Sequence, residues 1–367
     1  MIYLDNGATS FPKPLPVRRA VESAMRRCAN PGRGGYTAAM AAVEQIYACR
    51  EGAAKLFACR PEQVVFTSGC THGLNMAIRT LVKPGARVVV SGFEHNAVTR
   101  PLHALGAEIT VAGRRLFDPE DTLTEFEAAL RRKPDAVVFT HVSNVFGYIL
   151  PVRQMADLCR EYEVPFIVDA AQSAGSLPVS LQAWGADFIA MPGHKGLLGP
   201  MGTGILLCGR IPEPLMSGGT GSESINQAMP DFLPDRGEPG TPNVAGIAGL
   251  AAGIGAVQRM GLENIARKER RAAVYCTDGL KRLGFSVFSG PYQGGTVSFL
   301  PGMDCEEAAR RLADRGIAVR AGLHCAPLAH ESAGTLETGT VRISFGPEIS
   351  REQCRIFLQT AGICLRN

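Results

Sequence analysis

Eleven cysteines are scattered through the sequence without a single Cys-x-x-Cys pair. An odd number at irregular spacing makes neither a disulfide framework nor a zinc site, so no metal centre is expected and most of the thiols should be small buried residues. No segment approaches the ~18 consecutive apolar residues of a membrane span. The N-terminus, MIYLDNGATSFPKP, has no basic stretch followed by a long apolar one, which sets aside a signal peptide and makes the cytoplasm the expected location. Long basic runs are missing too, and a net charge of +4 marks neither a nucleic-acid nor a membrane partner. Repeats and low-complexity tracts are also absent. What remains is a chain of 367 residues, 46% hydrophobic and 20% charged, the composition of a soluble enzyme with one large domain and a smaller one.

Residues 1–15 read as an extended arm, since Pro12, Pro14 and Pro16 oppose an early helix. Helices are predicted over 17–27 and 38–57, with a glycine-rich loop at 30–36 between them. Strands and helices then alternate. Strands are predicted at 63–67, 87–91, 108–112, 136–141, 165–169, 188–191 and 203–208, with helices at 71–81, 95–105, 123–132 and 152–162. Uninterrupted apolar strands such as VVV at 88–90 are those of parallel strands buried on both faces, so the expected architecture is a three-layer α/β/α large domain with a mainly parallel sheet. Residues 209–243 lose this rhythm and read as long loops, while 244–260 is a helix of small apolar residues. A smaller α+β unit follows, with helices to 283 and at 305–315 and 350–361, and strands at 296–300, around 318–320, and at 340–344. The expected divisions are an arm at 1–15 packing on the small domain, a large domain at 16–260 and a small C-terminal domain at 261–367.

Open parallel sheets bind ligands past the carboxyl ends of their strands. The chemistry-bearing residues of this sequence stand at those positions. Strand 188–191 runs into Pro192-Gly193-His194-Lys195, and a lysine walled by glycines beside a buried strand is suited to attack an aldehyde, because burial disfavours its ammonium form. Strand 63–67 leads to Ser68-Gly69-Cys70-Thr71, whose helix N-terminus suits an anion. His95 follows strand 87–91 and Asn144 follows strand 136–141. Asp169 ends a buried apolar strand, where a carboxylate needs a partner such as a protonated pyridine. Each of these alone has an ordinary reading as a cap or a turn former. Together they describe a site for pyridoxal 5'-phosphate, with a lysine, a carboxylate for the ring nitrogen, a helix N-terminus for the phosphate and a histidine over the ring.

The stretches YLDNGAT, FTSGCTHGLN, EHNA, HVSNVFG, VDAAQS, GHKGLLGPMGTG, EPGTPN, RAGLHCAP and TVRISFG, in that order along nearly the whole chain, resemble the cysteine desulfurase and selenocysteine lyase family of the class V aminotransferase fold. The resemblance implies a fold-type-I homodimer in which each site is completed by the neighbouring subunit. It implies that Lys195 binds the cofactor covalently, that Asp169 pairs its ring nitrogen and that His95 stacks on the ring and acts in proton transfer. Gln172 and Asn144 would contact the phenolic oxygen and the substrate side. Thr71, His194 and the partner subunit's Thr241 would hold phosphate, Cys70 would also belong to the cofactor site, and Arg342 would clamp the substrate carboxylate, a bidentate task suited to guanidinium. Cys325 would be the nucleophile that takes sulfur from L-cysteine, leaving L-alanine and a persulfide for an acceptor protein. Arg320 and His324 stand close enough in sequence to favour its thiolate. The form of this loop resembles the short-loop branch of the family.

Several residues depart from the family pattern. Pro192 stands where a Ser or Thr hydroxyl is usual, and Tyr36 where the short-loop branch often has a histidine near the substrate. His72 follows Thr71 where an acid is common, and Pro327-Leu328-Ala329-His330 continues the cysteine loop unusually. These changes touch the rim, so L-selenocysteine stays open as an alternative substrate. A transaminase or C–S lyase acting on another amino acid, and a cofactor-bound scaffold without turnover, are the remaining readings.

Overall fold

The structure is a computed structural model that describes residues 1–32 and 34–365. Arg33, in the glycine-rich loop expected at 30–36, and the last two positions of the 261–367 unit lie outside the described residues. The central element is a seven-stranded sheet, in the spatial order Val64–Thr67, Gly204–Cys208, Phe188–Pro192, Phe166–Asp169, Ala136–Thr140, Arg87–Ser91, Glu108–Ala112. Gly204–Cys208 runs antiparallel to both neighbours, and the other pairings are parallel.

Side chains alternate across these strands and separate two apolar cores. Val64, Val89, Val137, Val168 and Ile189 belong to one, and Val65, Val90, Val138, Ile167 and Ala190 to the other. Helices Thr37–Phe57, Pro119–Leu130, Val152–Glu161 and Val244–Met260 cover the first face, and Cys70–Leu81 and Asn96–Ala104 the second. With both faces covered, the central strands have no polar side to show. Helix Val244–Met260 packs against Leu15–Arg27 and Thr37–Phe57. A side chain at its Gly253 would collide with the carbonyl of Leu197, so close packing depends on glycine there.

A second, four-stranded antiparallel sheet has the order Arg320–Gly322, Thr340–Ser344, Thr296–Leu300, Ser286–Phe288. Helices Leu262–Arg282, Cys305–Ala313 and Arg351–Cys364 bury its other side in a separate core. The chain start reaches this region. Ile2–Tyr3 pairs in parallel with Ile317–Ala318, and Asp5 bridges to Ser344.

Several expected boundaries shift for physical reasons. The first helix begins at Leu15 and takes Pro16 into its first turn, where a missing N–H costs nothing. Helix Pro119–Leu130 starts earlier than expected because the Asp118 carboxylate caps it, accepting from the Asp121 N–H at 3.0 Å. The segment read as one strand around 318–320 is two strands in different sheets. A short helix, Pro327–Ala333, directly follows the cysteine loop.

Candidate active site

Parallel strands of the large sheet deliver their chemistry to one place. A cavity of about 500 Å³ opens past their carboxyl ends, and Lys195, Asp169, His95, Asn144, Arg342 and Cys325 all line it.

Asp169 is the last residue of its strand and is buried. Its Oδ1 accepts from the Ala171 N–H at 2.8 Å and from Cys70 Sγ at 3.4 Å. Both contacts fall on Oδ1, which leaves Oδ2 to receive a donor. The Cys70 thiol is thereby held as a thiol: burial raises its pKa well above the usual range, and Asp169 adds to the effect. Lys195 sits in the turn after Phe188–Pro192. Burial holds its amine below the ordinary lysine range, Asp169 and Cys70 oppose that shift, and Arg342 and Arg320 reinforce it. The turn is compact because Gly196 lies on the Ala174 carbonyl, which any side chain would strike.

The N-terminal arm holds the same turn from behind. The His194 carbonyl accepts from the Ser10 N–H at 3.0 Å, from the Thr9 hydroxyl at 3.0 Å and from Lys13 Nζ at 2.7 Å. Gln172 donates its amide to the Gly7 carbonyl at 2.9 Å, and its side chain lines the cavity as well. Burial pushes the His194 ring down to about 4 and Lys13 down to about 8.

His95 caps helix Asn96–Ala104. Its Nδ1 accepts from the Ala97 N–H at 3.0 Å, so the neutral ring carries its hydrogen on Nε2. Burial lowers its pKa and favours that neutral form. Beside it the fully buried Glu94 joins two strand ends, accepting on Oε1 from the Thr140 N–H at 2.9 Å and from the Ser91 hydroxyl. Burial pushes the Glu94 carboxyl up to about 8. Thr71 lies in the first turn of helix Cys70–Leu81, which opens at Gly69 without a side-chain cap. Its free N–H groups and the Thr71 hydroxyl face the cavity as an anion cradle.

Cys325 is exposed at the rim. It and His324 adopt left-handed backbone with φ of 56° and 50°, a conformation that non-glycine residues hold only when their surroundings force it. The forcing contacts are visible. The Cys325 carbonyl accepts from the Asn96 N–H at 2.7 Å, and the His324 carbonyl accepts from Asn144 Nδ2 at 2.8 Å. The cysteine loop is thus tied to the residue after His95 and to Asn144. His324 itself is buried against Thr340, and burial drives its pKa down to about 2. It is a neutral ring, so the positive charge expected from it beside the thiol is not there.

Arg342 lies in a central strand of the small sheet, with its side chain 3% exposed. It donates to the Asn144 carbonyl at 2.9 Å and to Asp5 Oδ1 at 2.8 Å. Two residues singled out in the sequence stand elsewhere. Tyr36 is exposed at the start of helix Thr37–Phe57, and Thr241 is exposed in a neighbouring groove that shares only Ser68 and His72 with the Lys195 cavity.

The residues present fit pyridoxal phosphate. The cavity joins a neutral-leaning amine, a buried carboxylate with one oxygen uncommitted and a helix N-terminus. Four buried polar atoms on cavity residues have no partner among the described residues: Asn144 Oδ1, His194 Nδ1, His324 Nδ1 and Arg342 Nε. Buried polar atoms are seldom left unpaired, so each is a place for a ligand atom.

The aminotransferase class-V family model matches residues 2–357. The chain belongs to the class-V aminotransferase family. Its relatives include a probable cysteine desulfurase of Methanothermobacter thermautotrophicus, 34% identical over 98% of this chain and 93% of the relative. Another, from Pyrococcus abyssi, is 32% identical over 98% of this chain and 92% of its own length. Among solved structures, the apo cysteine desulfurase of Thermococcus onnurineus is 32% identical, with a TM-score of 0.92 over 99% of this chain and 94% of that one. The fold is that of the class-V, fold-type-I enzymes, which are generally dependent on pyridoxal phosphate.

Within this class-V chain, sequence reading passed over Asp5, Lys13, Glu94 and Asn96. Three of the four act on the site through backbone groups or through a side chain hundreds of positions away, and nothing in their local sequence marks them. Glu94 alone carried a signal, a carboxylate next to a strand-end histidine.

Proposed function

We propose that this chain is a pyridoxal-phosphate-dependent cysteine desulfurase, converting L-cysteine to L-alanine with transfer of sulfur to Cys325. The observation that carries the reading is the placement of an exposed, backbone-constrained cysteine at the rim of the cavity that holds Lys195.

Asp169 Oδ2 would receive the ring N–H of the cofactor, and the N-terminus of helix Cys70–Leu81, with Thr71 and His194, would receive its phosphate. Cys70 serves by holding Asp169 Oδ1. When bound, the cofactor supplies an aldehyde for the substrate amine and a sink for electrons from Cα. Lys195, lowered by burial, is poised as the base that takes the α-proton. Arg342 offers its unpartnered Nε–H to the substrate carboxylate. Gln172 and Asn144 complete the walls, and the committed Nδ2 of Asn144 makes its Oδ1 the group that meets the ligand. The Cys325 thiolate attacks the substrate sulfur: the S–S bond forms, the Cβ–S bond breaks with its electron pair going to Cβ, a proton there completes the methyl group, and return of a proton to Cα by the Lys195 ammonium completes alanine. His95 Nε2–H stands in the cavity as a proton donor.

We read residues 16–260 as the cofactor-binding unit and 261–367 as the unit bearing the cysteine loop, with the arm at 1–15 across both. We further propose a homodimer. Tyr36, Met40, Val43 and Tyr47 form an exposed apolar stripe at helical spacing along Thr37–Phe57, and Met216 and Ile225 in the 209–243 loops are exposed as well. In that dimer Thr241 would reach the partner's phosphate site. The exposure of Cys325 suits hand-over of sulfur to an acceptor protein, and eleven free cysteines suit a reducing compartment such as the cytoplasm.

The test is to supply the holoenzyme with L-cysteine and, separately, L-selenocysteine, and to quantify alanine and keto acids. Alanine from cysteine supports the reading. Alanine from selenocysteine alone, with activity surviving Cys325→Ala, would shift it to a selenocysteine lyase, and a keto acid product would shift it to a transaminase.

A further inference from the structure

Arg320 and Arg342 are directly opposed Cα partners on adjacent antiparallel strands. Like charges at such positions repel. Asp5 stands between them, its Oδ2 3.0 Å from Arg320 Nε and its Oδ1 2.8 Å from Arg342. The arrangement is built from a distant part of the chain. Asp5 lies on the N-terminal arm, fixed beside Ser344 by Ser344 N–H to the Leu4 carbonyl at 2.7 Å and by the Gly7 N–H to the Ser344 hydroxyl at 2.7 Å. Both arginines line the Lys195 cavity, and Arg342 Nε is buried without a partner among the described residues.

Two guanidinium groups and one carboxylate leave a single positive charge. Without Asp5 the same wall would carry two. We propose that Asp5 is a specificity-determining residue, setting this wall to the charge of one carboxylate so that it takes the α-carboxylate of an amino acid and discriminates against compounds with a second acidic group close by. Asp5 also acts as a positioning residue, because it turns the Arg342 guanidinium so that the Nε–H remains for the ligand. The inference rests on the reading of Arg342 as the carboxylate anchor given above.

The test measures dissociation constants of propanoate and succinate for the holoenzyme by calorimetry, at low and at moderate salt. In Asp5→Asn, succinate should bind about tenfold tighter relative to propanoate than in the unaltered protein, the gain being smaller at higher salt because Arg320 is half exposed. In Arg320→Gln, which leaves Asp5 facing Arg342 alone, propanoate should bind about tenfold more weakly. The double variant Asp5→Asn/Arg320→Gln again carries one positive charge and should recover the unaltered preference. A purely structural role for Asp5 would weaken both acids in Asp5→Asn with no recovery in the double variant, and that result overturns the proposal. Should Asp5→Asn fail to fold, Arg320→Gln decides: unchanged propanoate binding overturns it. Arg342→Gln separates the two layers of the argument. Loss of both acids supports the anchor, whereas retained propanoate binding shows that the anchor reading, and not the charge setting, has failed.

Discussion

The lysine side and the cysteine side of the cavity are held by opposite kinds of structure. Lys195, Asp169 and Glu94 stand at the ends of strands buried on both faces, in a setting that shifts Lys195 and Glu94 toward their neutral forms. Cys325 sits exposed on a loop in left-handed backbone, pinned by two hydrogen bonds from the large sheet's side. The difference teaches a division of labour. A group that must lose its charge and stay in register is built on a rigid sheet edge, while the group proposed to carry sulfur outward is built on a tethered loop.

Breaking either half should therefore have separable effects. Lys195→Ala should remove the covalent cofactor linkage, seen as loss of its visible absorbance, and reduce alanine formation by about 10⁴-fold. Cys325→Ala should leave that absorbance intact and lower alanine formation from cysteine by about a hundredfold or more. If Cys325→Ala also disturbed the absorbance, the two halves would not be separable. A third variant probes the sheet itself. Arg50 and Glu238 form a mostly buried pair, and Glu238 also accepts from the Phe66 N–H at 2.6 Å, which anchors the loop leading to Thr241. Glu238→Ala strands the Arg50 charge and should cost about 3 kcal/mol of unfolding free energy in urea titration, while the absorbance of whatever protein remains folded is kept.

A further variant, read only in its pH dependence, sharpens the electrostatic side. The Glu94 carboxyl has its pKa raised from 4.5 to about 8, so between those values the folded chain binds more protons than the unfolded one. Its contribution to stability is therefore complete below about pH 4.5 and is lost as pH rises through about 8. Glu94→Gln should flatten that part of the stability profile measured by chemical denaturation from pH 5 to 9. An unchanged slope would mean that the group is ionised when folded.

Much of the lysine side was legible because its logic is local. Apolar runs such as FIVD and FIAMP announce buried strands, and the chemistry stands at their carboxyl ends: Asp169 closes the first and Lys195 lies three positions past the second. Pro16 misled because a proline forbids a helix interior but not a first turn. The cysteine side was less legible. The loop's partners lie far away in sequence: Asn96 donates its backbone N–H to the Cys325 carbonyl, and Asn144 donates its side-chain amide to the His324 carbonyl. The expectation that His324 would be a cation failed because burial against Thr340, invisible in the residues GLHC, keeps the ring neutral. Asp5 was equally hidden, since its meaning depends on a contact across 337 positions.

The most direct test of this account is the mass of the intact holoenzyme and its peptides after one exposure to L-cysteine without reductant. The account predicts one added sulfur on the peptide containing Cys325, matched by an equal amount of alanine. Alanine formed with Cys325 unmodified, or sulfur found instead on the cavity's other cysteine, Cys70, would contradict it.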